Sequence, residues 1–247
     1  MAYTTINKST DYFNTLLYTG NDASPRAMTG VGFRPDWLWI KNRTGGTSYE
    51  HRLMDAVRGS NKVLHTSSNA AQNSEEYYTV GSFDSDGWTG RSGTGSQQSV
   101  VGGNDNGYTF VAWNWLAGGG QGSSNTDGSI NTTYTSANTT AGFSISQYTG
   151  TGSNATIGHG LGAVPKWIIV KNLDQNDDWY VYHVSRGATK HIILNSTGTG
   201  GTNSTLWQDT TPTSSVFSIG TNNVVNTNGE DYIAYCFAEK TGYNKFG

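Results

Sequence analysis

The stretch GFRPDWLWIKNR (Gly32 to Arg43) decides how this chain is read. Two tryptophans, a leucine and an isoleucine occupy Trp37 to Ile40. In an extended strand Leu38 and Ile40 share one face, while Trp37, Trp39 and Lys41 share the other. β-Formers on both faces predict a strand covered on both sides. The pattern is written again as GAVPKWIIVKNL (Gly162 to Leu173), keeping Pro, Trp, Lys and Asn in place. Ile168 and Val170 take the first face there; Trp167, Ile169 and Lys171 take the second. A ligand platform would not readily survive the exchange of Trp39 for Ile169, whereas a core position would.

Further matches follow on either side, in the same order. Tyr18-Thr-Gly recurs at Tyr148, and GVGF at Gly30 recurs as GHGL at Gly158. Arg58-Gly59 with Lys62 recurs as Arg186-Gly187 with Lys190. Phe110-Val-Ala-Trp-Asn-Trp pairs with Tyr232-Ile-Ala-Tyr-Cys-Phe, each behind an Asn-Gly turn (Asn106-Gly107, Asn228-Gly229). The offset drifts from 130 to 122 through loop-sized gaps. The expectation is an all-β chain of two homologous β-sandwich-type, jelly-roll-like modules in tandem. Module one spans 1–118, a Gly/Ser/Asn/Thr-rich connector 119–141, and module two 142–247. Tyr49 to Val57 (YEHRLMDAV) is the best helix candidate, while the matching Asp177 to Ser185 reads as strand. The connector suits a flexible linker or an ordered extended arm, and composition does not separate the two.

Composition agrees. Charged residues are 13%, about half the usual ~25%, and Gly is 33 of 247, roughly twice the usual ~7%. Disordered chains are charge-rich and aromatic-poor, but here aromatics reach 12% with 8 Trp. Net charge is -3 and no Lys/Arg run exists, so a nucleic-acid groove is not expected. No apolar run is long enough for a membrane-spanning helix, and the start MAYTTINKSTDYF lacks a secretory signal's pattern. One cysteine, Cys236, rules out an internal disulfide framework.

Catalytic motifs are absent. The five histidines (His51, His65, His159, His183, His191) lack the spacing of a zinc site, so neither metal nor cofactor is expected. FDSDGW (Phe83 to Trp88) opens like a calcium loop but lacks its distal Glu, and reads as a turn. Its match in module two, PTSSVF (Pro212 to Phe217), keeps no carboxylate. Glu75-Glu76 are adjacent and would point to opposite strand faces. GTGS (Gly93 to Ser96) and GTGSN (Gly150 to Asn154) are not followed by a helix signal and read as turns. The paired-strand pattern assigns Trp37, Trp39, Trp113, Trp115 and Trp167 to the core. Trp88, Trp179 and Trp207 stand beside polar loop residues and are the expected ligand-contacting platforms.

As a set, GVGFRPDWLWIKNR, DAVRG, YTFVAWNWLAGGG, NTDGSI, TSANTTAGFSISQYTGTG, GHGLGAVPKWIIVKN and DYIAYCFAEKTGYNKFG resemble a repeat module in virion proteins of tailed bacteriophages, marine and cyanobacterial ones above all. The resemblance covers nearly the whole chain. It implies a non-enzymatic virion surface protein, made in the host bacterial cytoplasm and assembled with other tail or capsid proteins as a homo-oligomer. A tail-fibre or receptor-binding component contacting host surface glycan is the leading expectation. A capsid decoration (cement) protein comes second, and a polysaccharide depolymerase using Asp84 or Asp86 third. Because the repeat pattern begins within the first twenty residues, the resemblance implies a short fibre or tip docking through a module face, or a capsid-decorating protein.

Overall fold

A computed structural model describes residues 4–45, 49–73, 80–90 and 103–247 of the chain. It is nearly all β, in the β-sandwich class the alternation predicts. In the N-terminal half, β1 (Phe13–Thr19), β8 (Thr109–Trp115), β3 (Trp37–Asn42), β4 (Arg52–Asp55) and β5 (Gly59–His65) form one sheet in that spatial order. A small sheet orders β2 (Arg26–Thr29), β7 (Gly87–Gly90) and β6 (Val80–Asp84). In the C-terminal half, β9 (Tyr134–Asn138), β10 (Phe143–Thr149), β17 (Asp231–Ala238), β12 (Pro165–Asn172), β13 (Tyr180–His183), β14 (Lys190–Ile193) and β15 (Gly201–Thr202) lie side by side. β11 (Ala155–Gly158) pairs with β16 (Val216–Ile219).

The order β1-β8-β3-β4-β5 reappears inside the larger sheet as β10-β17-β12-β13-β14, with β9 and β15 added at its edges. The segment Tyr49 to Val57 corrects the helix expectation: Arg52–Asp55 is strand, hydrogen-bonded between β3 and β5. All four of its residues are buried, so sheet pairing and packing outweigh the local helix signal.

Each central strand spends its two faces on two different cores. Leu38, Ile40, Phe110 and Ala112 pack beneath the small sheet, against Met28, Val80 and Trp88. Ile168, Val170, Tyr232 and Ala234 do the same against Ile157, Phe217 and Ile219. The other faces meet across a seam between the two large sheets, where Trp37, Leu53 and Leu64 pack with Phe143, Ile169, Tyr235 and Phe237. Three stacked apolar layers explain why so few aliphatic residues suffice. Large aromatic rings bury about 150–250 Å² each, and they fill the seam.

Matched corners are held by the same bonds. Tyr18 stacks on Phe110 (5.1 Å, 17°) and Tyr148 on Tyr232 (5.2 Å, 13°). The Tyr18 hydroxyl donates to the Gly103 carbonyl, and the Tyr148 hydroxyl to that of Val225. Buried Asn104 accepts from Asn21 N–H and donates to the Ala23 carbonyl; buried Asn226 accepts from Thr151 N–H and donates to the Ser153 carbonyl. Gly20 and Gly150 pass so close that a Cβ would fall 2.0 Å from Asp105 O and 2.2 Å from Thr227 O.

The connector is an ordered arm. Its β9 pairs with β10, Ser123 bridges Thr135, and Ile130 reaches the C-terminal core. Buried Asp36 fixes its start by accepting from Ala117 N–H (2.9 Å) and Gly119 N–H (2.7 Å).

Candidate functional site

The three tryptophans expected to contact ligand do not reach the surface, which corrects that expectation. Trp88, Trp179 and Trp207 are 1%, 0% and 2% exposed. Trp88 pairs with Met28 across the small sheet, the place Phe217 holds opposite Ile157. Trp179 donates its indole N–H to the carbonyls of His65 (3.0 Å) and Ser68 (3.1 Å), tying the halves together. Trp207 lies edge-on to Tyr182 in the C-terminal core. Polar neighbours in sequence mislead here because the rings turn inward, Trp88 from strand β7, Trp207 from the short helix Ser204–Trp207 and Trp179 against the turn at His65 and Ser68, where burying a large ring is favourable.

An aromatic cleft of about 380 Å³ opens instead at one end of the seam. The last residue of β8, Trp115, and the first of β1, Phe13, form one wall, with rings 4.5 Å apart. Trp167 of β12 stacks on Phe237 of β17 at 4.7 Å and 24° to form the other. Phe143 floors the cleft, 4.8 Å from Phe237. The chain after β17 turns back through a Lys240–Asn244 bridge and brings Tyr243, Asn244 and Phe246 to the rim. Ser9 faces them from the turn before β1. The Tyr243 hydroxyl is pushed up to about 12 by burial and by neighbouring Tyr12, so it stays a neutral donor and acceptor at physiological pH. Among the described residues no charged side chain lines the cleft.

Of the five tryptophans expected in the core only Trp37 is fully buried; Trp39 and Trp113 are partly buried, and Trp115 and Trp167 open onto the cleft. Both are half-buried and present ring surface to the cleft, while Trp37 beneath is buried. Their sequence signal is position: Trp115 is the last residue of β8 and Trp167 the third of β12.

A second hollow of about 300 Å³ lies under the connector, between Gly118–Asn125 and Thr135–Ala137. Much of its polar lining is spent internally. Ser136 Oγ accepts from Gly118 N–H, Thr135 Oγ1 bonds Thr132 and Ser146, and Asn125 bonds Asp127. The carboxylates considered for hydrolysis brace turns. Asp84 accepts from Ser82 and Thr89 hydroxyls at 2.7 Å, and Asp86 accepts from Gly30 and Gly32 N–H. These two amide bonds hold the Asp86 carboxyl below the usual range. Glu75-Glu76 and Gly93 to Ser96 lie outside the described residues. Among the described residues no three His, Cys, Asp or Glu side chains converge as a metal site. Nor is any helix among them long and apolar enough to cross a membrane.

A family model described as a domain of unknown function (DUF7483) matches residues 8–247. No curated protein and no solved structure matches the chain.

Proposed function

The chain belongs to the DUF7483 family, and we propose that it serves as a non-enzymatic surface protein of a tailed-phage virion, a tail-fibre or receptor-binding component whose seam cleft takes a neutral sugar ring of the host surface. The observation that carries the reading is the cleft itself. Two aromatic walls, Trp115 with Phe13 and Trp167 with Phe237, face a space of about 380 Å³. Apolar ring faces with a few convergent polar groups at the rim are the usual form of a small-ligand site. A pyranose suits it, because its C–H face packs on an aromatic ring while its hydroxyls reach Tyr243, Asn244 and Ser9. The resemblance of the paired motifs to virion repeat modules supplies the biological setting.

The test is a glycan array followed by titration of the binding sugar, read by tryptophan fluorescence. Trp167→Ala is expected to weaken binding about two- to tenfold, the range for one lost ring contact. No sugar bound by the array, or equal binding by Trp167→Ala, sinks the proposal.

A second reading, capsid decoration, is favoured by a different feature. Trp39 and Trp113 meet edge-on at 5.4 Å and stay only partly buried beside the seam. An apolar pair of this kind suits a shell-facing contact. Protein copy number in purified virions separates the readings: a few per tail, or a number near that of the capsid protein.

A further inference from the structure

The two halves differ at one matched edge. In the C-terminal half β10 is flanked on both sides, by β17 and by β9. Its counterpart β1 pairs only with β8 among the described residues. Gly20 N–H donates to Tyr108 O, and Leu116 N–H to Tyr12 O, so the even-numbered residues of β1 bond β8. Phe13, Thr15, Leu17 and Thr19 therefore turn their backbone groups outward. Gln147, 130 residues after Leu17, uses its carbonyl to accept from Thr133 N–H at 2.8 Å. Residues 4–8, which stand 130 before β9, form no strand along β1 and instead send Ile6 inward. Leu17 is 60% exposed, the one large hydrophobic side chain so placed among the described residues.

We propose that β1 is a homodimerisation edge, along which a second copy lays its own β1 antiparallel to give one continuous sheet. The strand suits itself as partner. Phe13–Thr19 carries no charge, so no like charges meet, and none of the lysines or prolines that usually blunt an edge is present. Pairing over the whole strand centres on Leu16 and sets Thr15 against Leu17 of the second copy. The ends complement each other. Arg26 already donates to the Thr19 carbonyl at 2.7 Å. Asp11, 55% exposed and paired at 3.0 Å with Lys8, itself 68% exposed, lies two residues beyond Phe13, which pairs opposite Thr19. Each Asp11 thus comes beside the other copy's Arg26, at both ends of the dimer. Phe13 belongs both to this edge and to a wall of the cleft, but Asp11, Leu17 and Arg26, on which the pairing is tested, do not line the cleft, so the pairing is tested apart from the ligand reading.

Sedimentation velocity over a concentration series tests it with the full chain. Wild type is expected to dimerise reversibly. Leu17→Lys should weaken dimerisation at least about tenfold while leaving the circular dichroism spectrum unchanged. Should that variant fail to fold, Leu17→Gln, which writes in the residue β10 carries, makes the same test with a smaller effect. Asp11→Arg and Arg26→Asp should each weaken self-association, and mixing the two should restore it as a heterodimer. A wild type that stays monomeric at every concentration, association indifferent to Leu17→Lys, or no restoration on mixing would each overturn the proposal.

Discussion

The seam treats matched residues of the two halves differently. Trp113 and Tyr235 hold equivalent strand positions, yet Trp113 is only partly buried and Tyr235 fully buried. Trp39 stands at the border where its match, Ile169, is covered. Asp55 and Arg58 are buried against Tyr235, whereas their matches His183 and Arg186 sit near the surface. One offset explains all three. Asp55 and Arg58, at the β4–β5 end of the N-terminal sheet, meet Tyr235 of β17 inside the C-terminal sheet, while Trp39 and Trp113 are only partly covered. Matched sequence therefore sets matched strands, while the seam decides which half carries a buried charge or a partly exposed large ring.

The largest expected effect lies under that overlap. Asp55 Oδ1 accepts from Arg58 N–H, and its Oδ2 accepts from Arg58 Nε (2.6 Å) and the Tyr235 hydroxyl (2.7 Å). Asp55→Asn leaves the Arg58 guanidinium buried without its countercharge, a loss of about 3–5 kcal/mol. His183→Asn, at the matched but half-buried position, should stay within about 0.5 kcal/mol. Denaturant unfolding measures both, and equal losses would break the offset interpretation.

The asparagine clips come next and sharpen the comparison from the symmetric side. Asn104→Ala and Asn226→Ala each remove an amide that holds the same two backbone groups. Each should cost about 2–3 kcal/mol. The loss at Asn226 should be the larger by about 1 kcal/mol, because its third partner is the buried Gly220 carbonyl. The third partner of Asn104 is Arg26, which can turn to water. A larger loss at Asn104 would contradict this.

Strand faces were legible in sequence because alternation is a local property: Leu38 and Ile40 on one side, Trp37 on the other, hold as expected. The asparagine clips were also written there, as Asn104-Asp-Asn-Gly and Asn226-Thr-Asn-Gly, though an Asn-Gly turn alone does not announce a buried amide two residues earlier. The exposure of individual tryptophans was not legible. Trp88, Trp179 and Trp207 are buried and Trp115 and Trp167 line the cleft because of how whole sheets stack, and that depends on contacts more than a hundred residues apart. Even Asp36 against Lys166 makes sense only in three dimensions. The connector leaves β8 beside Asp36, which binds its first amides.

The smallest expected effect concerns a lysine kept in both copies but buried in one. Lys41 lies 2.8 Å from His51 Nε2 and is half-buried, whereas Lys171 is fully buried, donating to the carbonyls of Asn172 and Gln175. Burial lowers Lys171 from 10.5 to about 8, with Asp177 and Asp178 only partly offsetting it. The unfolded chain therefore holds this proton more tightly than the folded one. Between pH 8 and the unfolded value near 10.4 the unfolded state binds more protons, so this residue makes stability rise with pH. Below pH 8 its full cost applies. Cys236, Tyr148 and Tyr235, raised by burial, act in the opposite direction, the thiol from about pH 8.5 and the phenols as pH passes 10, so the window of pH 8 to 9.5 is informative only as a difference from a variant that keeps all three. Subtracting the Lys171→Met variant removes the cysteine and tyrosine contributions. The difference, wild type minus variant, should climb by on the order of 1–2 kcal/mol across that window in denaturant unfolding. A flat difference would mean that the seam leaves Lys171 as well solvated as an exposed lysine, and that burial at this point is not what sets the two copies apart.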